Sequence, residues 1–387
     1  MTVTDDKLTA LRSLDSWFDA HFEQMLADLR WLVELETPSG AKTEIDNVQE
    51  QLAAKFREAG AETEIIAGPD GNHLLARYGS VKTDQIFIVG HVDTVWPMGT
   101  LARKPFKIEN GIAFGPGVYD MKAGIIMLLY VLKAFKEIGL RPNRPLTMLI
   151  TADEEVGSTT SRANIEEEAK KAAYALVLEP PLENGAVKTS RKGVGRYTLK
   201  VKGRASHAGV EPEKGVNAIV EMAHQTLAIN ALNNYAVGTT LNVGVLSGGT
   251  RSNVVPAEAE AEIDLRVSTL SEADRINTAM NSLMPVLPEA QLLLEGGLNR
   301  PPFERTEQVV ELYQKAAAVA AALNWPEKLE EGGTGGGSDG NFTAALGIAT
   351  LDGLGCLGKG AHAEHEQIIV AALPKRAHLL AGLLATL

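Results

Sequence analysis

Cysteine is nearly absent from this sequence: of 387 residues only Cys356 carries a thiol. A lone thiol excludes an intramolecular disulfide and any cysteine-rich metal site. Basic residues are also in deficit, 37 Lys and Arg against 49 Asp and Glu, for a net charge of −12. That balance argues against a general nucleic-acid binder or a partner of anionic membranes. No apolar run reaches the roughly 18 residues that a membrane span needs. The closest, Ile125 to Leu132, is short and closed by Lys133. The first residues, Met1-Thr-Val-Thr-Asp-Asp-Lys7, lack the basic segment and apolar stretch of a secretory leader. The expectation is a cytoplasmic protein with neither nucleic acid nor membrane as partner.

What is present is ordinary globular composition, 45% hydrophobic and 22% charged. The length suggests about two domains. Residues 7–34 read as one amphipathic helix, and 44–59 as a second ending at Gly60. Strands follow at 62–66, 73–78 and 85–90. A helix over 121–138 stops at Gly139, and strands at 145–151 and 174–178 come next. Strands alternating with helices over 44–180 predict an α/β layer with a largely parallel sheet. Near residue 191 the pattern changes. Alternating runs at 194–202, 239–246 and 257–267, a strand at 291–295, and helices over 216–230 and 271–284 give the order β-α-β-β-α-β. That describes a small ferredoxin-like α+β domain, residues 192–303, inserted into a larger one made of 1–191 and 304–387. A helix (306–323) and a Gly-rich loop (332–340) complete the larger part.

Five carboxylate or imidazole positions lie at or beyond the apolar, strand-like runs: His91, Asp120, the pair Glu154-Glu155, Glu179 and His362. Side chains at the carboxyl ends of neighbouring strands converge on one crevice. Two imidazoles and three carboxylates there suit a pair of zinc ions, with one carboxylate left as base. Each position also has a plainer reading. Asp120 precedes a helix and could cap it. Glu154 and Glu155 could be a solvated loop pair, and Glu179 an ordinary strand-terminal acid. His365 rivals His362, and spacing does not choose between them. Asp93, two residues beyond His91, is placed to hold that ring. Gly335-Gly-Gly-Ser-Asp-Gly340 formally matches a dinucleotide fingerprint, but it comes late and follows no convincing buried strand. It suits backbone N–H groups approaching a ligand oxyanion better.

Taken together, Gly90-His-Val-Asp-Thr94, Gly115-Pro-Gly-Val-Tyr-Asp-Met-Lys122, Asp153-Glu-Glu-Val-Gly157, Gly203-Arg-Ala-Ser-His-Ala-Gly209 and Gly335-Gly-Gly-Ser-Asp339 resemble the signatures of the dinuclear zinc peptidases and amidohydrolases. That family includes glutamate carboxypeptidase, the aminoacylases and succinyl-diaminopimelate desuccinylase, and the pattern is most similar to glutamate carboxypeptidase. The resemblance runs from about residue 25 to the end. It implies two zinc ions per subunit, with cobalt or manganese able to replace them in vitro. Asp120 would bridge them, His91 and Glu179 would complete one site, and Glu155 and His362 the other. His362 takes that role over His365 because Glu366 follows at the family's offset. Glu154 would be the general base and Asp93 would orient His91. His207 would reach across a homodimer to the neighbour's oxyanion. Asn253 and Arg266, with Arg300 and the Gly336-Gly337 backbone, would bind the substrate. Ala123 departs locally from the glycine that many members have.

The implied activity is hydrolysis of an amide beside a free carboxylate, in a peptide or N-acyl amino acid. An aminoacylase shares every ligand and stays open as an alternative. A non-catalytic binder on the same scaffold would lack Glu154 or a ligand, and neither is missing.

Overall fold

In the computed structural model, which describes residues 5–79, 84–325 and 328–387, the run Gln85–His91 is a strand buried along its whole length. Its side chains alternate between two apolar clusters. Ile86 and Ile88 enter one, while Phe87 and Val89 enter the other. A strand covered on both faces therefore reads as a continuous hydrophobic run rather than an alternating one. It lies inside a six-stranded sheet in the order 62–66, 73–78, 146–151, 85–91, 172–177 and 349–351. The last four are mutually parallel, and the first two form an antiparallel margin. This is the α/β class with a largely parallel sheet that the alternation predicts.

Helix Ala123–Ile138 covers one face and buries Ala123 to Leu132 without a break. It packs against the C-terminal helix Ala372–Thr386. Its first turn lies so close to the strand end that a Cβ on Gly124 would stand 2.5 Å from the Leu178 carbonyl. Gly139, at φ 72°, ends it in the left-handed conformation that glycine adopts most readily.

The chain divides into two compact units. One comprises the residues up to Ser190, Arg305–Thr334 and Ser338–Leu387; the other is Arg191–Glu304 with Gly335–Gly337. The second unit runs β-α-β-β-α-β. Its antiparallel sheet has the strand order 240–248, 258–267, 193–202, 291–300. Inward residues such as Leu199, Val201, Ile263 and Leu265 meet Met222 and Ile276 of the two helices. Its last strand reaches Arg300, five residues beyond the expected 291–295.

The single helix expected over 7–34 is two, Asp5–Ala20 and Phe22–Val33. His21 between them is non-helical, at φ −104° and ψ 8°. Its ring Nδ1 donates to the Trp17 carbonyl (2.8 Å), which the His21 backbone N–H also reaches (3.1 Å), and the ring stacks on Trp17 at 3.8 Å. A side chain entering the helical ladder in this way bends it. Among the described residues no helix is long and apolar enough to cross a membrane.

Asp28 joins three helices of the first unit. Its carboxylate accepts from Lys55 Nζ (2.8 Å), Tyr130 Oη (2.9 Å) and Lys133 Nζ (3.3 Å). Burial works against its charge, yet these donors hold its pKa below the ordinary value. Asp28→Asn is expected to cost about 1–3 kcal/mol of stability at neutral pH, the scale of hydrogen bonds to a charged group. Chemical denaturation checks this, and an unchanged midpoint would contradict it.

Candidate metal centre

Sheet register brings the candidate residues to one edge. His91 pairs with Thr151 across one parallel neighbour, and Val89 with Val177 across the other. The chain leaving each strand therefore emerges at the same end of the sheet. It carries His91 itself, Glu154 and Glu155 in the short turn Glu154–Val156, and Glu179 two residues past Val177. Such strand ends are where open α/β sheets place their sites. Asp120 arrives on the loop before helix Ala123–Ile138. Gly117 in that loop has φ 71°, and a Cβ there would meet Thr94 Cγ2 at 2.6 Å. Asp120 does not cap the helix; Lys122 holds that position, without a side-chain capping bond. His362 follows strand Gly358–Lys359 with a left-handed backbone, φ 60°. His365 is exposed and belongs to neither ligand group described next.

Two groups of ligand atoms lie within 4.8 Å of one another: His91, Asp120 and Glu179, and Asp120, Glu155 and His362. Asp120 is common to both. Its Oδ1 is 3.3 Å from His91 Nε2, and its Oδ2 is 3.4 Å from His362 Nε2. Glu179 Oε1 stands 3.5 Å from His91 Nε2, and Glu155 Oε2 3.0 Å from His362 Nε2. A tetrahedral ion with bonds of roughly 2.0–2.1 Å spaces its ligand atoms roughly 3.3 Å apart. The donors are nitrogen and oxygen, and each group has one imidazole and two carboxylates. On both counts the residues fit two divalent cations.

Three carboxylates share this hollow with two imidazoles, and the excess of negative charge shows in their titration. Burial, and then Asp120, push Glu155 up to about 7, against the opposing pull of His362. Asp120 and Glu155 raise His362 to about 11. Burial disfavours a charged His91, but Asp120, Asp93 and Glu179 overcome it and raise the ring well above its ordinary value. Burial would likewise raise Asp120, and hydrogen bonds from both imidazoles hold it below the carboxylate range. A bound cation relieves this crowding.

Asp93 is fully buried, and its role is wider than the sequence suggests. The His91 ring is held at Nδ1 by the Asp93 backbone carbonyl (2.9 Å), more closely than by its carboxylate (3.5 Å). The carboxylate accepts the backbone N–H groups of Glu154 and Glu155 (both 3.2 Å) and the Ser39 hydroxyl (2.7 Å). Asp93 thus ties the His91 strand to the Glu154-Glu155 turn. Sequence reasoning missed Ser39, and it missed His73. The buried His73 accepts the Ala152 N–H at Nδ1 (3.2 Å), so its Nε2 proton faces the Thr160 hydroxyl (3.1 Å). Thr160 in turn donates to Asp153, beside Glu154. Glu154 is buried and stands outside both ligand groups.

The remaining candidates lie in the second unit. His207 and Asn253 sit on adjoining segments, joined by the Ala208 N–H to the Asn253 carbonyl (3.0 Å). His207 is exposed, and its Nδ1 accepts the Gly209 N–H at 3.1 Å, which leaves the Nε2 side as donor. Arg266 directs a two-pronged contact at Asp264, 2.9 and 3.0 Å, with Nη1 3.5 Å from the Gly335 carbonyl. Arg300 is buried, with Nη1 3.5 Å from Asn299. The carbonyls of Gly336 and Gly337 accept from Arg191 Nη1, at 3.3 and 2.9 Å. Arg191 is a buried residue that the motif pattern did not flag. The strand preceding the glycines, Glu331–Thr334, pairs outside the central sheet, which removes the context a dinucleotide fingerprint needs.

Comparison with known proteins shows what the chain as a whole is similar to. The family model described as Peptidase family M20/M25/M40 matches residues 87–386. Carboxypeptidase G2 of Pseudomonas sp. (strain RS-16) is 32% identical over 374 residues, covering 94% of this chain and 89% of that protein. A succinyl-diaminopimelate desuccinylase of Alkalilimnicola ehrlichii is 29% identical over 363 residues, covering 88% and 93%. In structure, the aminopeptidase PepT of Bacillus cereus superposes with a TM-score of 0.76 at 24% identity, over 94% of this chain and 98% of that one.

Imidazoles must lose their protons to bind a metal. With His91 and His362 both raised, metal uptake by the metal-free protein at pH 7.5 is expected to release about two protons per chain. Affinity should therefore weaken as the pH falls. Calorimetric titration with zinc in buffers of different ionisation enthalpy measures the release. Uptake without any release would contradict the assignment of these rings.

Proposed function

The chain belongs to peptidase family M20/M25/M40, and on that premise we propose that this hydrolytic enzyme is a carboxypeptidase using two zinc ions. Its substrates are peptides or N-acyl amino acids with a free α-carboxylate. The observation that carries the reading is Asp120, whose two oxygens each face a different imidazole. His91, Asp120 and Glu179 would hold one ion, and Asp120, Glu155 and His362 the other. Bound there, the ions would supply Lewis acidity toward the amide carbonyl and lower the pKa of water toward neutrality.

The chain's own residues carry the proton and the substrate. Glu154 takes a proton from the attacking water and returns it to the leaving nitrogen. Its backbone is fixed by Asp93, so the carboxylate starts from a set position. His207 donates to the developing oxyanion from a second copy of the chain. Asn253 and Arg266 receive the substrate carboxylate, and Arg266 exchanges part of its contact with Asp264 to do so. Arg300, Gly336 and Gly337 complete that end. A homodimer is supported by the exposed His207 and by the edge strand Thr240–Gly248, which leaves Val245 and Leu246 exposed. The buried, unpaired Cys356 suits a reducing cytoplasm. Cobalt or manganese in place of zinc belongs to the same reading.

Likeness to carboxypeptidase G2 over nearly the whole chain favours a carboxypeptidase. Likeness to a desuccinylase keeps N-acyl amino-acid hydrolysis as the second reading. Glu154→Gln is expected to keep its metal and lose activity by roughly 100- to 10,000-fold. A panel of dipeptides and N-acyl amino acids, each as free acid and methyl ester, tests the rest. Turnover should need the free acid, and esters cleaved at equal rates would contradict the carboxylate contact.

A further inference from the structure

Glu366 is 1% exposed and no lysine or arginine among the described residues forms an ion pair with it. Its charge is met instead by four N–H donors. Oε1 accepts the backbone N–H groups of Tyr119 (2.9 Å) and Asp120 (3.1 Å). Oε2 accepts the Gly117 N–H (2.9 Å) and the Trp96 indole N–H (2.7 Å). These donors come from two different stretches of chain. Gly117, Tyr119 and Asp120 form the loop that carries the shared carboxylate. Trp96 lies five residues past His91, and Lys104 Nζ stands over its ring at 3.8 Å. Lys104 also donates to the Ala363 carbonyl (3.1 Å), next to His362. Glu366 itself closes the turn after His362 through its N–H to the Ala363 carbonyl (2.9 Å).

We infer that Glu366 is a positioning residue for the metal pair: its carboxylate ties the loop bearing Asp120 to the segments bearing His91 and His362. This rests on the two-metal reading of the site. The bonds are charge-assisted, and both oxygens are used twice, so the carboxylate is matched to its four donors. A glutamine cannot replace it. Whichever way the amide is turned, its NH2 group faces two N–H donors that had been satisfied. Holding the backbone of Asp120 fixes both of its oxygens at once, so a slack clamp loosens both ligand groups together. Outer-shell partners of this kind usually change metal affinity by about 10- to 100-fold.

The test is zinc titration of metal-free protein by calorimetry, with melting followed with and without zinc. Wild type should bind zinc and melt higher when loaded. Glu366→Gln should bind about 10- to 100-fold more weakly, and its zinc-induced rise in melting temperature should shrink. Asp28→Asn is the control for a merely structural loss: it should melt lower in both states yet keep the full zinc-induced rise. Should Glu366→Gln fail to fold, Trp96→Phe decides. It removes one donor, leaves the three loop bonds, and should weaken zinc binding several-fold. Wild-type affinity in a folded Glu366→Gln, or in Trp96→Phe when that variant decides, would overturn the positioning role and leave the metal reading standing. A wild type that takes up no zinc would overturn both.

Discussion

A carboxylate set between two imidazoles needs its backbone held and its charge balanced, and much of the first unit serves those needs at Asp120. Each of its oxygens faces a different histidine, at 3.3 and 3.4 Å. Neither ligand group is complete without it. Its loop is shaped by Gly117, where any Cβ would strike Thr94, and is held by the carboxylate of Glu366. Asp93 plays the corresponding part on the other side, joining His91 to the turn of Glu154 and Glu155. Two buried acids that are not themselves in the ligand groups thus hydrogen-bond to the segments that carry them.

The parallel sheet supplies the common edge. Strands in register end together, so residues far apart in sequence leave the sheet side by side. The cost is negative charge concentrated in a buried place: burial and then Asp120 raise Glu155, and the carboxylates raise His362. A hollow of this kind is poorly suited to stand without cations, and the metal dependence of the M20 peptidases gives it a reason to exist.

Much of this was legible in the sequence, for physical reasons that differ by element. The strand Gln85–His91 was readable because burial on both faces leaves an unbroken apolar run. Helix Ala123–Ile138 was readable from its apolar run and from the stop at Gly139. Five candidate ligands were suggested by residue type and order together, and the structure gathers them into two groups that could each hold a metal ion. The break at His21 was not legible, because it depends on a ring competing for a carbonyl within an otherwise regular amphipathic stretch. Nor were the roles of Ser39, His73 and Arg191, whose partners lie tens of residues or more away in sequence. Glu366 served the sequence reading only as a spacing mark for His362. Its four donors can be seen only once the loops are folded around it.

The central claim is that one carboxylate, Asp120, serves two metal ions. Elemental analysis of zinc-loaded, dialysed protein tests it most directly, comparing wild type with Asp120→Ala. Two ions per chain in the wild type and fewer than one in the variant is the expected result, because removing a shared ligand empties both groups. A variant that kept two ions, or lost one and held the other at wild-type affinity, would show that the two groups do not depend on a common carboxylate.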